Sequence, residues 1–374
     1  MSEWIFWLCA AGLFYTYVGY PCLLALWSAA VKRRVDKGPC EPSVSIVVAA
    51  HNEAKVIRRR IENLLALDYP KEKREILVVS DGSTDGMDAI VSEYESLGVK
   101  LVRQPKVGKA AALNLGVCRA KGAILLFADA RQVFDPEALR ELVANFNDPT
   151  VGAVSGELIF DNEDAGAVTR SIGAYWRYEK WMRKMESRID SMLGATGAIY
   201  AIRRELYEPV PRETLLDDVL IPMRIVLRGK RAVFEPEAVA YDKVTDSPKT
   251  ELKRKVRTLA GNYQLLCLLP ALLSPIRNRV FVQFASHKAA RLAGPFLLIL
   301  MLLSNMTILH GGYVVSAASQ TILYALAVAG SFEGARTKAR LLTAVPHTFL
   351  MMNYAAFLGF IFFVTGRRSL WARA

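Results

Sequence analysis

The sequence predicts an α/β domain inserted between transmembrane helices, with amphipathic helices at the membrane interface. Three observations lead to this prediction. The chain begins with a long apolar run, its middle alternates short β-branched runs with amphipathic stretches, and three further apolar runs lie near its end. The overall composition, 52% apolar and 22% charged residues, agrees with a polar domain combined with a membrane part.

The first apolar run extends from about Trp4 to Ala30 and is nearly free of charge. At a rise of ~1.5 Å per residue, it is long enough to cross a bilayer core of ~30 Å. A cleavable signal peptide would carry basic residues before its apolar run, whereas Lys32, Arg33 and Arg34 follow this one. We therefore expect a transmembrane helix over residues 1–32 with the next domain in the cytoplasm.

The middle of the chain, residues 43–248, has the pattern of an α/β domain. Runs at 44–50, 75–81, 99–104 and 123–129 are β-branched or apolar, and each is followed by an amphipathic stretch. This order is typical of a mostly parallel sheet covered on both faces. In such sheets ligands bind beyond the carboxyl ends of the strands, where Asp81 and Asp129 are expected.

Two basic amphipathic stretches within residues 249–290 predict helices that lie on the membrane interface. The apolar runs at 292–309, 313–332 and 341–365 predict three transmembrane helices within residues 291–366, before a basic tail at 367–374. Arg336, Lys338 and Arg340 favour a cytoplasmic loop, but an even number of spans places the basic tail outside. The side of the C-terminus therefore stays open.

Composition also excludes several classes of protein. The net charge of +12 suits anionic lipid or a phosphate-bearing substrate. Nucleic acid is not expected, because the chain has no zinc-finger, helix-turn-helix or RNA-binding signature. The five cysteines are scattered without a C-x-x-C pair, which argues against a disulfide framework or a zinc site, and the four histidines are equally dispersed.

Two aspartates at predicted strand ends are candidates for ligand binding. Asp81 lies in V-S-D-G-S-T-D-G, where its carboxylate can accept hydrogen bonds from a base or a ribose, unless the segment is simply a tight turn. Asp129 lies in F-A-D-A-R and suits a hard divalent cation together with substrate phosphates. The alternatives for Asp129 are a helix cap or an ion pair with Arg131.

Asp217 and Asp218 are candidates for proton transfer, because adjacent carboxylates repel and one of them can have a raised pKa. The alternative is that both lie in the first turn of a helix, where the helix dipole favours acids.

Basic residues are candidates for binding phosphate. Arg254 and Arg257 share a helix face and can grip a diphosphate, or form a juxtamembrane patch on anionic lipid. Gly108 and Lys109 open a predicted helix, which is a natural anion site. The segment G-A-T-G-A at 194–198 is either a substrate cleft or a loop.

In this order the motifs resemble those of the membrane-integrated family 2 glycosyltransferases, which include cellulose, hyaluronan, chitin and poly-N-acetylglucosamine synthases. The resemblance covers roughly Ser43 to Pro275. It implies a GT-A-type domain at the cytoplasmic face of the cell membrane and an inverting hexosyltransferase activity. It also implies a UDP-sugar donor, a divalent Mg²⁺ or Mn²⁺ ion, and a growing polysaccharide that is exported.

The resemblance also assigns roles to single residues. Asp218 matches the catalytic base, with Asp217 beside it, and Asp129 matches the first acid of the metal-binding D-x-D motif. Acceptor contacts are expected from Gly194, Thr196, Gly197, Trp176 and Thr258. Donor contacts are expected from Ala50, Asn52, Glu53, Asp81, Lys109, Asn114, Asp129, Arg131, Arg254 and Arg257.

Two positions depart from the family pattern. Arg131 stands where the family has the second acid of D-x-D, and Thr258 stands where it has an acceptor-stacking Trp. Trp176 and Trp181 offer a replacement platform or pack in the core. Three functions therefore stay open: a processive synthase with an export subunit or homo-oligomeric partner, a single-transfer enzyme acting on a lipid acceptor, and a non-catalytic nucleotide-sugar-binding scaffold.

Overall fold

The computed structural model describes residues 1–161, 167–243, 248–308, 310–332 and 340–366. The basic loop residues Arg336 and Lys338 and the tail at 367–374 lie outside these ranges, as does the side chain of Arg340. In the described part, one eight-stranded sheet forms the centre. Its strands are β1 (Val44–Ala50), β2 (Arg74–Asp81), β3 (Val99–Gln104), β4 (Ile124–Ala128), β5 (Val133–Phe134), β6 (Val151–Asp161), β7 (Ile199–Arg203) and β8 (Arg231–Lys243).

The sheet has the strand order β3-β2-β1-β4-β7-β6-β8-β5. Its first half, β3 to β4, is parallel as predicted, so β1, β2 and β4 all end at the same edge. The second half is mixed, because β7 runs antiparallel to both β4 and β6, and β5 antiparallel to β8. The sheet therefore follows the prediction in one half and departs from it in the other.

Helices cover both faces of the parallel half. Ile46 and Val48 of β1 pack in one core with Ile57 and Ile61 of α3, whereas Val47 points into a second core. This alternation explains why β1 is apolar throughout, since a strand covered on both faces has no solvent side. The helices of the domain are α3 (Ala54–Leu65), α4 (Met87–Ser92), α5 (Lys109–Arg119), α6 (Ala138–Ala144), α7 (Ala167–Ile189) and α8 (Asp217–Leu227).

Apolar helices flank this domain on both sides. The N-terminal helix consists of α1 (Ser2–Phe14) and α2 (Tyr20–Ala30), joined by a π-helical turn. By length and composition, four described helical runs could cross a membrane, as predicted: Ser2–Ala30, Phe281–Thr307, Gly312–Ser331 and Leu342–Thr365. The remaining helices are α9 (Pro248–Leu268), α10 (Phe281–Gln283), α11 (Ala290–Thr307), α12 (Gly312–Phe332) and α13 (Arg340–Thr365).

The second predicted interfacial helix is not a separate element. A π-helical turn at Phe284–Ala289 continues α10 into α11, so one apolar run extends from Phe281 to Thr307. The expected boundary at residue 290 does not exist, because no glycine or proline interrupts the helix between Phe281 and Leu292. The first predicted stretch does form a separate helix, α9.

Helix α9 lies between the sheet domain and the candidate membrane-spanning helices. A Cβ atom on Gly261 would lie 2.5 Å from Leu216 Cγ, just before α8. On the membrane side, a Cβ atom on Gly359 of α13 would lie 2.9 Å from the Ala260 nitrogen. Glycine is therefore needed at both contacts, because any side chain would overlap the neighbouring element.

A buried arginine joins the N-terminal helix to the domain. Arg231 is 1% exposed, and its guanidinium donates to the carbonyls of Arg33 and Arg34, at 2.9 and 3.3 Å, and of Ser187, at 3.2 Å. Carbonyl oxygens therefore satisfy the buried charge. The basic segment that follows the first apolar helix is thereby fixed to the start of β8.

Candidate functional site

A cavity of about 2150 Å³ begins at the carboxyl ends of the parallel strands and reaches the candidate membrane-spanning helices. Ala50, Asp81 and Asp129 line it at the strand ends, and Phe349 and Met352 of α13 line it at the other end. The predicted site residues that line it are Ala50, Glu53, Asp81, Lys109, Asp129, Arg131, Trp176, Thr196, Gly197, Asp217, Asp218, Arg254, Arg257 and Thr258.

Asp81 fixes the loop that opens α5. Its carboxylate accepts hydrogen bonds from Gln104 Nε2 at 2.7 Å and from the backbone N–H groups of Val107 and Gly108 at 2.8 and 2.9 Å. Gly82 follows at φ +66, and a Cβ atom there would lie 2.6 Å from the Lys106 nitrogen. The D-G sequence is therefore required for this close approach, and it sets the position of Lys109.

Three residues predicted to contact substrate are not part of the described cavity lining. The Asn52 amide oxygen accepts the Thr84 N–H at 2.8 Å, so this side chain holds the neighbouring turn. The Asn114 amide oxygen accepts a hydrogen bond from Tyr207 Oη at 2.6 Å, and the amide nitrogen donates to the Val210 carbonyl at 2.8 Å. Gly194 packs against Val219 behind the cavity wall. These residues shape the walls rather than face the cavity.

Lys109 brings two of the predicted acids together. Its Nζ donates to Asp129 Oδ1 at 3.1 Å and lies 3.6 Å from Asp217 Oδ1. The ion pair of Asp129 is therefore with Lys109 rather than with Arg131. These nearby carboxylates raise the pKa of Lys109 against the opposing effect of burial, so the ammonium stays charged.

Arg131 lines the cavity as an exposed side chain, and its carbonyl accepts a hydrogen bond from Arg59 Nη2 at 2.9 Å. Its backbone is thus fixed beside Asp129. In this arrangement a cation occupies the position of the second D-x-D acid, next to Asp129.

Asp218 lies at the start of α8 with its carboxylate on the cavity wall. Its Oδ2 accepts the Gly197 N–H at 3.0 Å, and its carbonyl accepts the Ala195 N–H at 2.8 Å. Burial, reinforced by the charge of Asp217 and opposed by Lys109, raises the pKa of the Asp218 carboxyl to about 6. Asp218 is therefore mostly ionised near neutral pH and is a stronger base than an ordinary aspartate.

This raised pKa predicts the pH dependence of the activity. A general base must be ionised, so kcat/KM should be half-maximal near pH 6, reach a plateau about one pH unit above it and fall about tenfold per pH unit well below it. Asp217→Asn should move the acid limb to lower pH, because loss of the neighbouring negative charge lowers the pKa of Asp218. A pH profile of kcat/KM measures the position of the acid limb in each enzyme. An acid limb at the same pH in Asp217→Asn would contradict the electrostatic interaction between Asp217 and Asp218.

Helix α9 supplies the predicted arginines. Arg254, Arg257 and Thr258 all line the cavity, and Arg254 Nη1 lies 3.5 Å from Glu251 Oε2. Thr258 Oγ1 donates to the Arg254 carbonyl at 3.0 Å, so its hydroxyl is engaged within the helix and offers no stacking surface. The two arginines thus face the cavity, whereas Thr258 does not reproduce an aromatic platform.

The two tryptophans of α7 differ in position. Trp176 lines the cavity. The centroid of its ring lies 5.4 Å from the centroid of the Phe160 ring and 4.7 Å from Lys255 Nζ. Trp181 is 37% exposed, stacks near Tyr178 and is not part of the described lining. Trp176 is therefore the one of the two that can form an aromatic wall for a substrate.

A group of polar residues deeper in the cavity was not predicted from the sequence. Glu179 and Arg183 of α7, His287 and Lys288 of the π-helical turn, and Arg291 of α11 all line it. Glu179 and Arg183 are four residues apart on one helix face. No local signal marks them as a site, because charges at this spacing are also typical of a solvated helix surface.

The described residues contain a group of three acids away from this cavity, namely Glu141, Glu235 and Glu237. Lys37 Nζ lies 2.5, 3.0 and 3.2 Å from their carboxylates. An ammonium group thus already neutralises this cluster.

Comparison with known proteins agrees with the fold. Residues 45–210 match the family model described as Glycosyl transferase family 2. The chain is 30% identical over 252 residues to the probable glycosyltransferase YdaM of Bacillus subtilis (strain 168). This match covers 64% of this chain and 60% of that protein. It is 24% identical over 229 residues to a poly-β-1,6-N-acetyl-D-glucosamine synthase of Staphylococcus aureus (strain COL), covering 60% and 55%. The matches thus span less than two thirds of these relatives.

Among solved structures, the chain resembles a mannosyltransferase, PcManGT from Pyrobaculum calidifontis, in complex with GDP-Man and Mn²⁺. The TM-score is 0.76 at 23% identity, over 98% of this chain and all of that one (100%). At this identity the likeness establishes a shared fold that includes both the sheet domain and the apolar helices.

Proposed function

We propose that this chain, whose residues 45–210 match the Glycosyl transferase family 2 model and whose fold is GT-A-like, is an inverting transferase that uses a UDP-sugar donor. The observation that carries the proposal is Asp218, a base with a raised pKa on the wall of a cavity shared with Lys109, Arg254 and Arg257. We propose that the enzyme extends a polysaccharide at the cytoplasmic face of the membrane and that this extension is coupled to export of the polysaccharide. The synthase name of the S. aureus relative supports this acceptor.

The residues suit a one-step displacement. Asp218 removes the proton from the acceptor hydroxyl, whose oxygen attacks the anomeric carbon while the bond to the diphosphate breaks. The diphosphate leaves with the bonding electrons, and the charges of Lys109, Arg254 and Arg257 stabilise it. Attack from the opposite face inverts the anomeric centre.

A divalent ion fits this site in part. Asp129 is a partly exposed carboxylate beside the proposed diphosphate position, so it would hold Mg²⁺ or Mn²⁺, with phosphate oxygens and waters as further ligands. A bound ion would add positive charge against the leaving group. Lys109, which bonds Asp129 at 3.1 Å, would have to share that carboxylate with the metal.

A second candidate is a single transfer to a lipid acceptor. Thr258 replaces the stacking Trp of the synthases, and the cavity continues to the apolar residues Phe349 and Met352 of a candidate transmembrane helix. A lipid can reach Asp218 by this route. A non-catalytic scaffold is the least supported reading, because Asp218 and both arginines line the cavity.

The donor and acceptor can be tested together. The purified full chain would be incubated with UDP- and GDP-sugars, and the release of nucleoside diphosphate and the size of the products would be measured. A UDP-sugar and a product series of increasing length support the synthase, whereas one added sugar on a lipid supports the second candidate. If no donor releases nucleoside diphosphate, even when a membrane extract is added as a source of acceptor, the transferase function is contradicted.

The membrane topology can be tested independently. Lys32, Arg33 and Arg34 follow the first apolar helix, so the domain at 43–248 should face the cytoplasm. A protease site inserted at the exposed residues Glu95 and Ser96 should resist protease added to intact cells and be cut in lysed cells. Cleavage in intact cells would overturn the cytoplasmic orientation.

A further inference from the structure

The part of the cavity nearest the candidate membrane helices is lined by more basic than acidic side chains. Arg183 and Lys288 are half-buried and line the cavity, and neither makes a hydrogen bond or ion pair with another described residue. Burial lowers the pKa of the Arg183 guanidinium, in keeping with a charge that lacks full hydration. Such charges are unfavourable unless a counter-ion accompanies them.

The acid nearest to these cations already has partners. Glu179 forms an ion pair with Arg291 and accepts a hydrogen bond from His287 Nε2 at 3.2 Å. Burial raises the pKa of Glu179, but the Arg291 guanidinium, together with His287, outweighs burial and holds that pKa well below its usual range. Among the described lining residues, Glu179 is the one acid that α7, α9, α10 and α11 contribute. Glu179 and Glu186 interact electrostatically with Arg183 and Lys288, but the basic side chains that line this part of the cavity outnumber the acidic ones.

An apolar surface continues from this charge. Val345, Phe349 and Met352 of α13 line the adjoining wall of the same cavity, and α13 is a candidate membrane span. A polar glycan gains little from such a wall, whereas an alkyl chain removes apolar surface from water there. The two surfaces together fit an amphiphile with an anionic head.

The charge also lies near the proposed base. Arg183 is close enough to Asp218 for the two charges to interact. An anionic group bound by Arg183 and Lys288 would therefore lie on the membrane side of the reacting centre.

We propose that Arg183 and Lys288 bind the phosphate headgroup of a membrane lipid acceptor whose apolar chain lies along α13. This inference rests on the proposed transferase function and develops its second candidate, the lipid acceptor, in place of the polysaccharide acceptor. Phosphate is the expected headgroup because guanidinium and ammonium groups form charge-assisted hydrogen bonds with its oxygens. Arg183 and Lys288 are binding residues in this proposal, whereas Asp218 keeps the catalytic role.

The site can be tested by equilibrium binding without any sugar donor. The full chain in neutral detergent would be titrated with monododecyl phosphate, with dodecanol and with inorganic phosphate. Monododecyl phosphate should bind at least about tenfold more tightly than either other probe, because it alone supplies both head and chain. Equal binding of dodecanol would overturn the anionic site, and equal binding of inorganic phosphate would overturn the lipid source.

Variants locate the effect. The double change Arg183→Gln and Lys288→Gln should abolish the preference for monododecyl phosphate over dodecanol, whereas Arg183→Lys should preserve most of it because the charge remains. Lys184→Gln is the matched control, because Lys184 is exposed on the same helix and is not in the described lining. A preference retained in the double variant would refute the assignment.

These measurements are separate from the test of the transferase function. Binding requires no turnover, so a chain that binds monododecyl phosphate but releases no nucleoside diphosphate would refute the enzyme and leave the binding site intact. Conversely, an active enzyme that binds monododecyl phosphate and dodecanol equally would refute this site alone.

Discussion

Asp218→Asn is expected to lower turnover by roughly 10²–10⁴-fold, because general-base catalysis contributes about that factor. Asparagine has almost the same shape, and its amide oxygen can still accept the Gly197 N–H that Asp218 Oδ2 accepts at 3.0 Å. The cavity wall should therefore remain intact while the ability to take a proton is lost. The rate of nucleoside diphosphate release and the affinity for UDP, measured on the same preparation, separate these effects.

Asp217→Asn is the matched control for this change. Asp217 is adjacent to Asp218 and 7% exposed, and Lys109 Nζ lies 3.6 Å from its carboxylate. Its replacement should reduce turnover less than Asp218→Asn does. Near-normal turnover in Asp218→Asn, with donor affinity unchanged, would remove this residue from the mechanism.

Chelation of divalent ions by EDTA is expected to abolish sugar transfer, and Mn²⁺ or Mg²⁺ should restore it. The departing diphosphate carries charge that must be neutralised, and a divalent ion held by Asp129 would supply part of the neutralisation. Asp129→Ala should therefore remove the response to added metal. Titration of Mn²⁺ against UDP binding gives a second readout that does not depend on turnover.

Arg131 provides the contrasting outcome. It stands at the position of the second D-x-D acid and lines the cavity beside Asp129. Full activity in EDTA, combined with an inactive Arg131→Ala variant, would show that this guanidinium neutralises the diphosphate in place of a metal. Arg59→Ala is a useful comparison. Arg59 Nη2 donates to the Arg131 carbonyl at 2.9 Å, so this substitution would disturb the backbone at Arg131 but leave the Arg131 guanidinium in place.

The strand-end part of the site was predictable from the sequence because it follows from sheet geometry. Asp81 is the last residue of β2 and Asp129 follows β4; both strands flank β1 in a parallel arrangement, so their carboxyl ends meet at one edge. Local apolar runs and the following polar residue are enough to predict this meeting. The antiparallel β7 was not predictable in the same way, because its direction depends on connections outside the strand.

Side-chain direction was less predictable. A side-chain amide such as that of Asn52 or Asn114 can face a ligand or a backbone group equally well. In this structure both amides form hydrogen bonds with backbone groups. The membrane-side cations were missed for a related reason: Arg183 and Lys288 come together only through the packing of helices distant in sequence. Tertiary packing of this kind leaves no local pattern.

The two glycine contacts of α9 have a mechanical consequence. Gly261 leaves no space between α9 and Leu216, and Gly359 leaves none between α9 and α13. A tilt of α13 would therefore carry α9, with Arg254 and Arg257, along with it relative to the sheet. Since a bilayer of different thickness changes the tilt of a helix that spans it, lipid chain length should tune the rate of sugar transfer.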